Sequence, residues 1–183
     1  MTISNEIHKR NKTNRVSREQ VLNATLDLVL ADGVKAVSLR KIAAKVGCAA
    51  PTIYYYFSSK QEIIETLWTK QIDVVLEHSF VYTDLFDILY HYGSYWLVHR
   101  SLFQLMFLGE DVSVVELSSY AVLEKTIEAK FHERGCRIQW AARRTQITLA
   151  AIHGLVLSSK HRFIEPTEAG ILLESSISFL LAD

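Results

Sequence analysis

The sequence predicts an all-α protein of about nine helices, with one helical domain over residues 15–61 and a second over residues 62–183. Three observations predict it. Two prolines and seven glycines in 183 residues are too few to punctuate a strand-and-turn architecture. Apolar residues recur at spacings of three and four, the helical period. The breaks between these runs fall at residues that start or stop helices. An apolar share of 49% is enough for a packed core.

The elements follow in chain order. Residues 5–15 are polar and basic without apolar period, so in isolation they are expected to be disordered. The stretch from His8 to Arg15 suits either a solvated tail or an arm reaching a minor groove or flanking phosphates. Ser17 is a plausible cap for a first helix that runs to Ala31 and stops at Gly33, with Val21, Leu22, Thr25, Leu28 and Val29 on its inner face. Ser38 caps a second helix whose Leu39, Ile42, Ala43 and Val46 form an apolar face, leaving Arg40, Lys41 and Lys45 on the other. Gly47 ends it, a turn runs from Gly47 to Ala50, and Pro51 takes the first position of a third helix, where its missing N–H costs nothing.

In that third helix Ile53 and Phe57 are four apart and point inward, which leaves Thr52, Tyr54, Tyr55 and Tyr56 for the flanks and outer surface. Consecutive aromatics at positions 54–56 span roughly 200° of the circumference, so at least one faces outward. The run Ser59-Lys60-Gln61-Glu62 reads as a capping box, with Lys60 in the first turn of the next helix.

A fourth helix, from Glu62 to about His78, is apolar over a wide arc through Ile63, Ile64, Leu67, Trp68, Ile72, Val75 and Leu76, and is the candidate element coupling the two domains. Helices are then expected over 84–99, 102–108, 113–134, 138–162 and 167–181, with breaks at Gly109, Gly135 and Glu165-Pro166. The run from Ile147 to Leu157 is apolar on nearly every side. Such a helix is buried on two faces, one inward and one against another molecule. Small residues at Ala151, Gly154 and Ser158 let a partner helix approach closely, and Ile147, Leu155, Leu173, Ile177 and Leu180 complete the expected dimer interface. The competing reading is a monomer whose last helix covers the eighth.

Between these lies an aromatic belt: Trp68, Phe86, Tyr90, Tyr92, Tyr95, Trp96, Phe103, Phe107 and Tyr120, with His91 and His99 nearby. Core packing accounts for much of it, yet tyrosine hydroxyls seek partners and so many amphipathic rings suit a pocket for a small hydrophobic or aromatic effector.

Charge separates the halves. Residues 1–60 carry 10 Lys or Arg against 4 Asp or Glu, and residues 61–183 carry 10 against 16, so a net charge of zero conceals +6 and −6. The first half suits a polyanion such as double-stranded DNA, and the second is repelled by it. No uncharged apolar stretch is long enough to span a bilayer and the start has no apolar signal core, so a cytoplasmic protein without membrane association is expected. Cys48 and Cys136 are most simply free thiols. There is no phosphate-binding glycine loop, no nucleophile elbow, and no metal-ligand spacing around His91 and His99, so neither catalysis nor a cofactor or metal is expected.

Hydroxyls, cations and helix N-terminal amides at residues 38–60 are what phosphate oxygens accept from, and a few side chains of the third helix would reach base edges. Arg18-Glu19-Gln20-Val21-Leu22, Ala31-Asp32-Gly33, Val37 through Ala43, and Pro51-Thr52-Ile53-Tyr54-Tyr55-Tyr56-Phe57-Ser58-Ser59-Lys60 together resemble the helix-turn-helix domain of the tetracycline-repressor family of bacterial transcription regulators. The resemblance covers about a quarter of the chain. It implies that Ser38 and Arg40 contact phosphates or bases, that Pro51 and Thr52 enter the major groove, and that Tyr54, Tyr56 and Lys60 clamp phosphates. It further implies a homodimer on a near-palindromic operator, acting as a repressor released by a small effector. The alternative is control by a protein partner, or a role in chromosome organisation, without such an effector. Two departures are noted: Tyr56 stands where many members have histidine, and Ala49 and Ala50 stand where polar base contacts are common.

Overall fold

A computed structural model of the chain describes residues 16–109, 118–160 and 164–182. The arm expected before Ser17, the start of the helix expected from Ser113, and residues 161–162 at the end of the eighth lie outside those residues. Among the described residues the secondary structure is entirely helical, with nine α-helices and one short 3-10 turn. None of these helices is long and apolar enough to cross a membrane.

The chain divides into two compact units, residues 1–67 and 68–183. The first begins with α1 (Arg18–Asp32), opened by the capping box the sequence did not single out: Ser17 Oγ accepts from Gln20 N at 3.1 Å, and Ser17 N donates to Gln20 Oε1 at 2.9 Å. Val21, Leu22, Thr25 and Val29 are buried as expected, and the Thr25 hydroxyl donates to the Val21 carbonyl at 2.7 Å rather than remaining unpaired. A 3-10 turn, Val34–Ala36, follows Gly33 and was not foreseen. Next come α2 (Leu39–Val46) and α3 (Ala50–Tyr54). Gly47 adopts the left-handed conformation (φ 81°, ψ 35°) and donates to Ala43 O, closing α2 sharply enough for α3 to fold back on it. Pro51 occupies the second position of α3, not the first, because Ala49 is the extended cap and Ala50 is already helical.

The helix α4 (Lys60–Ser79) begins in the first unit and ends in the second. Ser59 caps it by accepting from Glu62 N at 3.0 Å. The expected capping box is displaced by one residue: the Glu62 carboxylate accepts from Ser58 N at 2.7 Å and Ser58 Oγ at 2.6 Å instead of from Ser59 N. These bonds hold the Glu62 carboxyl below its ordinary value.

The second unit comprises the rest of α4, α5 (Leu85–Val98), α6 (Arg100–Phe107), α7 (Ser118–Glu133), α8 (Ile138–Lys160) and α9 (Pro166–Leu181). Here α8 packs against α7, α9, α5 and α6, and α9 also packs on α5. Residue 93 makes the α5–α9 approach possible. A Cβ there would lie 2.6 and 2.9 Å from the two terminal methyls of Leu173 and 3.2 Å from Cγ2 of Ile152, so Gly93 leaves the room those side chains occupy. Helix α5 ends and α6 begins at one residue, His99 (φ −102°, ψ 38°), with neither glycine nor proline at the seam.

Candidate functional site

The basic first unit brings most of the nominated DNA-contacting residues to its surface. Ile53 of α3 and Phe57 are both buried, although α3 ends at Tyr54 and Phe57 lies in the turn beyond it, its N–H donating to Ile53 O at 3.0 Å; Arg18 lies over the Phe57 ring at 4.4 Å while donating to Thr66 Oγ1 at 3.2 Å. With that side fixed, Pro51 and Tyr54 are exposed and Thr52 is half-buried on the flank. Tyr55 is 81% exposed and was not nominated, although its place between two nominated tyrosines on one helical turn was the available signal. Its ring stands edge-on to Tyr56, with centroids 5.0 Å apart.

Tyr56 is the member whose placement differs from expectation. Its hydroxyl donates to the Val16 carbonyl, so the proton a phosphate clamp would offer is already committed within the chain. Ser38 is exposed and accepts from Lys41 N at 3.3 Å, which leaves its own O–H free to donate outward. Lys60 Nζ donates to Val34 O at 2.9 Å; an ammonium has three N–H bonds, and two remain.

Charge on α2 is sorted by partners. Lys41 and Lys45 pair with Asp32 (3.7 Å) and Asp27 (3.1 Å) of α1. Arg40 is exposed and makes no hydrogen bond or ion pair among the described residues. The three positive side chains that the sequence placed on one face thus differ: two form exposed ion pairs with α1, and Arg40 has no such pair among the described residues.

In the second unit the aromatic belt divides into two clusters. One consists of Tyr92, Trp96, Phe103, Phe107 and Tyr120 around His153, whose imidazole was not nominated because it sits in an apolar run. Tyr92 Oη and His153 Nε2 are hydrogen-bonded at 2.8 Å. Desolvation by the surrounding rings pulls the His153 pKa down to about 4, and burial holds Tyr92 and Tyr120 above the ordinary phenol value. The other cluster is more exposed: Tyr82 stacks on His91 at 3.9 Å, His78 and Tyr90 meet His91 edge-on, Phe86 stacks on Tyr90, and Tyr95 lies 4.3 Å from His99. The two clusters meet where Tyr95 stands edge-on to Trp96, with centroids 5.2 Å apart. Trp68 is fully buried and has no ring contact among the described residues.

The nominated interface needs a correction. Leu173 and Ile177 are fully buried in their own subunit, with Leu173 against Gly93, so they cannot also meet a second chain. The exposed apolar side of α9 is instead Ile171, Leu172 and Phe179, at 65%, 40% and 81% exposure. On α8, Ile147 and Gly154 are exposed as expected, while Ala151, Leu155 and Ser158, like Leu180 on α9, are half-buried.

Residues 21–67 match the model of the bacterial regulatory proteins of the tetR family. The chain is 30% identical over 64 residues to the class D tetracycline repressor protein of Escherichia coli, a match covering 35% of this chain and 28% of that repressor, so it spans little more than a quarter of that relative's length. A crystal structure of a transcriptional regulator from Rhodococcus sp. Rha1 superposes with a TM-score of 0.74 over 91% of this chain and 96% of that one, at 19% identity. The regulator FadR of Bacillus subtilis, crystallised with stearoyl-CoA, superposes with a TM-score of 0.60 over 91% and 98%, at 17% identity. Residues 21–67 thus carry the DNA-binding domain of the tetR family of bacterial regulatory proteins, and the chain as a whole shares the fold of the superposed regulators.

Proposed function

We propose that this protein is a dimeric, sequence-specific DNA-binding transcription regulator, most simply a repressor whose grip on its operator is loosened by a small hydrophobic or aromatic effector. The observation that carries the reading is the outer side of α2–α3: exposed Ser38, Arg40, Pro51, Tyr54 and Tyr55, with Thr52 on the flank, around a helix whose other side is locked by buried Ile53 and Phe57. Tyr55, more exposed than either nominated tyrosine, joins the surface, and the Tyr56 hydroxyl positions the start of α1 instead.

Base reading falls to Thr52 and Arg40, with Ala49 and Ala50 offering methyl contact to thymine. Selection of bound genomic fragments by the purified protein tests this directly. With the selected operator in hand, Thr52→Ala is expected to narrow the affinity gap between operator and random duplex. Lys60→Ala is expected to weaken both alike and to lower the slope of log affinity against log salt by about one. Identical behaviour of both variants on the two duplexes would refute this division of labour.

The exposed apolar residues of α9, with Ile147 and Gly154 of α8, support twofold pairing through these two helices. A dimer presents two recognition helices about one DNA turn apart, roughly 34 Å. Phe179→Glu is expected to give a folded monomer in sedimentation and to lose operator binding while keeping its helical circular dichroism. A dimer that survives would place the interface elsewhere.

Effector control would act through α4, the helix common to both units. The stearoyl-CoA held by the Bacillus subtilis relative supports a lipophilic ligand in this architecture. A coupling of about 1–3 kcal/mol would lower operator affinity about 5- to 150-fold.

A further inference from the structure

Trp96 is fully buried at the centre of the inner ring cluster, touching Phe103 at 5.4 Å and Phe107 at 5.6 Å between centroids. Its indole N–H has no hydrogen-bond partner among the described residues. It approaches the Tyr92 hydroxyl without the geometry of a hydrogen bond, and that hydroxyl already bonds His153. A buried N–H left unpaired is costly, and indole is a donor only, so nothing but an acceptor relieves it. The cluster is not wholly sealed: Phe107, at the C-terminal end of α6 and touching Trp96, Phe103, Tyr120 and His153, is half-buried, and His153 on α8 is half-buried as well.

We infer that the Trp96 N–H is the polar anchor of the effector site, and that the effector is an uncharged lipophile carrying one hydrogen-bond acceptor, such as a ketone or ester carbonyl, with Phe107 as the ring it displaces. The inference rests on the effector reading above and names the class of molecule it requires. The unpaired donor selects the polar group. A carboxylate would lie near Glu124, whose charge is felt at both Tyr92 and Tyr120, and desolvation disfavours a charged His153 beside it. An ammonium would suit the ring faces but has no lone pair to accept from the indole, so the Trp96 N–H would stay unpaired.

The test uses acetophenone and ethylbenzene, which share a shape and differ in the carbonyl. Partition alone favours ethylbenzene, so the two explanations predict opposite orders. The full chain is expected to bind acetophenone about tenfold more tightly, the ratio set by satisfying one buried donor, and Trp96→Phe is expected to abolish that preference. The chain has three tryptophans, so the three indole N–H resonances can be followed in the wild-type protein, with the one missing in Trp96→Phe assigned to Trp96. That resonance should move downfield with acetophenone and stay put with ethylbenzene, a shift read in the wild-type protein. Equal or reversed affinities in the wild type, an unmoved Trp96 resonance, or no binding of either compound would overturn the inference. Release of the operator by some other compound would leave the effector reading standing in each of those cases.

Discussion

Gly93→Val should destabilise the second unit by about 3 kcal/mol, the upper end of what overpacking a filled core costs. The Leu173 methyls already stand 2.6 and 2.9 Å from where a Cβ would be, and Ile152 closes the third side at 3.2 Å. Leu173 is fully buried, so its methyls have no solvent to turn into. Helix propensity works the other way, since glycine is the poorer helix former by several tenths of a kcal/mol, but that gain is too small to offset the clash. Urea unfolding at constant m-value reads the loss. Leu173→Ala alone opens a cavity and should cost about 2–5 kcal/mol. Combined, the two substitutions should cost clearly less than their sum, because the added methyls enter the vacated space; contacting residues couple by roughly 0.5–3 kcal/mol. Strict additivity would mean that α5 and α9 do not meet at this point.

Acid should weaken the same unit through one imidazole. His153 has its pKa lowered from 6.5 to about 4 because the rings around it desolvate the charged form. The unfolded chain therefore takes up a proton near pH 6.5 that the folded chain refuses until about pH 4. Stability from this source is complete above pH 6.5 and is lost as pH falls towards 4, amounting in all to about 3 kcal/mol. His153→Gln keeps a side chain able to bond the Tyr92 hydroxyl and removes the titration. Unfolding free energies at pH 7 and pH 4.5 should thus differ less for the variant than for the wild-type chain. Equal differences would mean that the imidazole is solvated. Glu62 adds an acid-sensitive contribution of the same direction in the first unit, confined to pH below the ordinary glutamate value, and it cancels in the comparison.

The elements that sequence reading located are those set by local chemistry. Gly47 was legible as a stop because a left-handed residue is needed there, and Ile53 with Phe57 because a four-residue spacing puts both on one side of any helix. The seam at His99 was placed between two expected helices but had no residue to name, since the dihedral change occurs at a side chain with no breaking preference of its own. The 3-10 turn at Val34–Ala36 left no periodic trace in three residues. The candidate DNA surface was legible as a set of residue types, but its partners were not. Nothing in the spacing of Lys41, Lys45 and Arg40 says that Asp32 and Asp27 pair with the first two. Likewise nothing in the Tyr-Tyr-Tyr run says that the last of them turns its hydroxyl to Val16.

What this sequence determined by itself was the helical class, the motif at residues 38–60 and the opposite charges of the two halves, because periodicity, caps and composition act over a few residues. Only the tertiary structure decided which face of α9 is covered. Leu172, Leu173, Ile177 and Leu180 read alike as apolar residues, and the missing side chain at Gly93, eighty residues earlier, drew Leu173 inward and left Ile171, Leu172 and Phe179 outside. It likewise decided that His153 and Trp96, fifty-seven positions apart, share one apolar cage, since which rings surround a polar group depends on how the helices pack and leaves no local pattern in the chain.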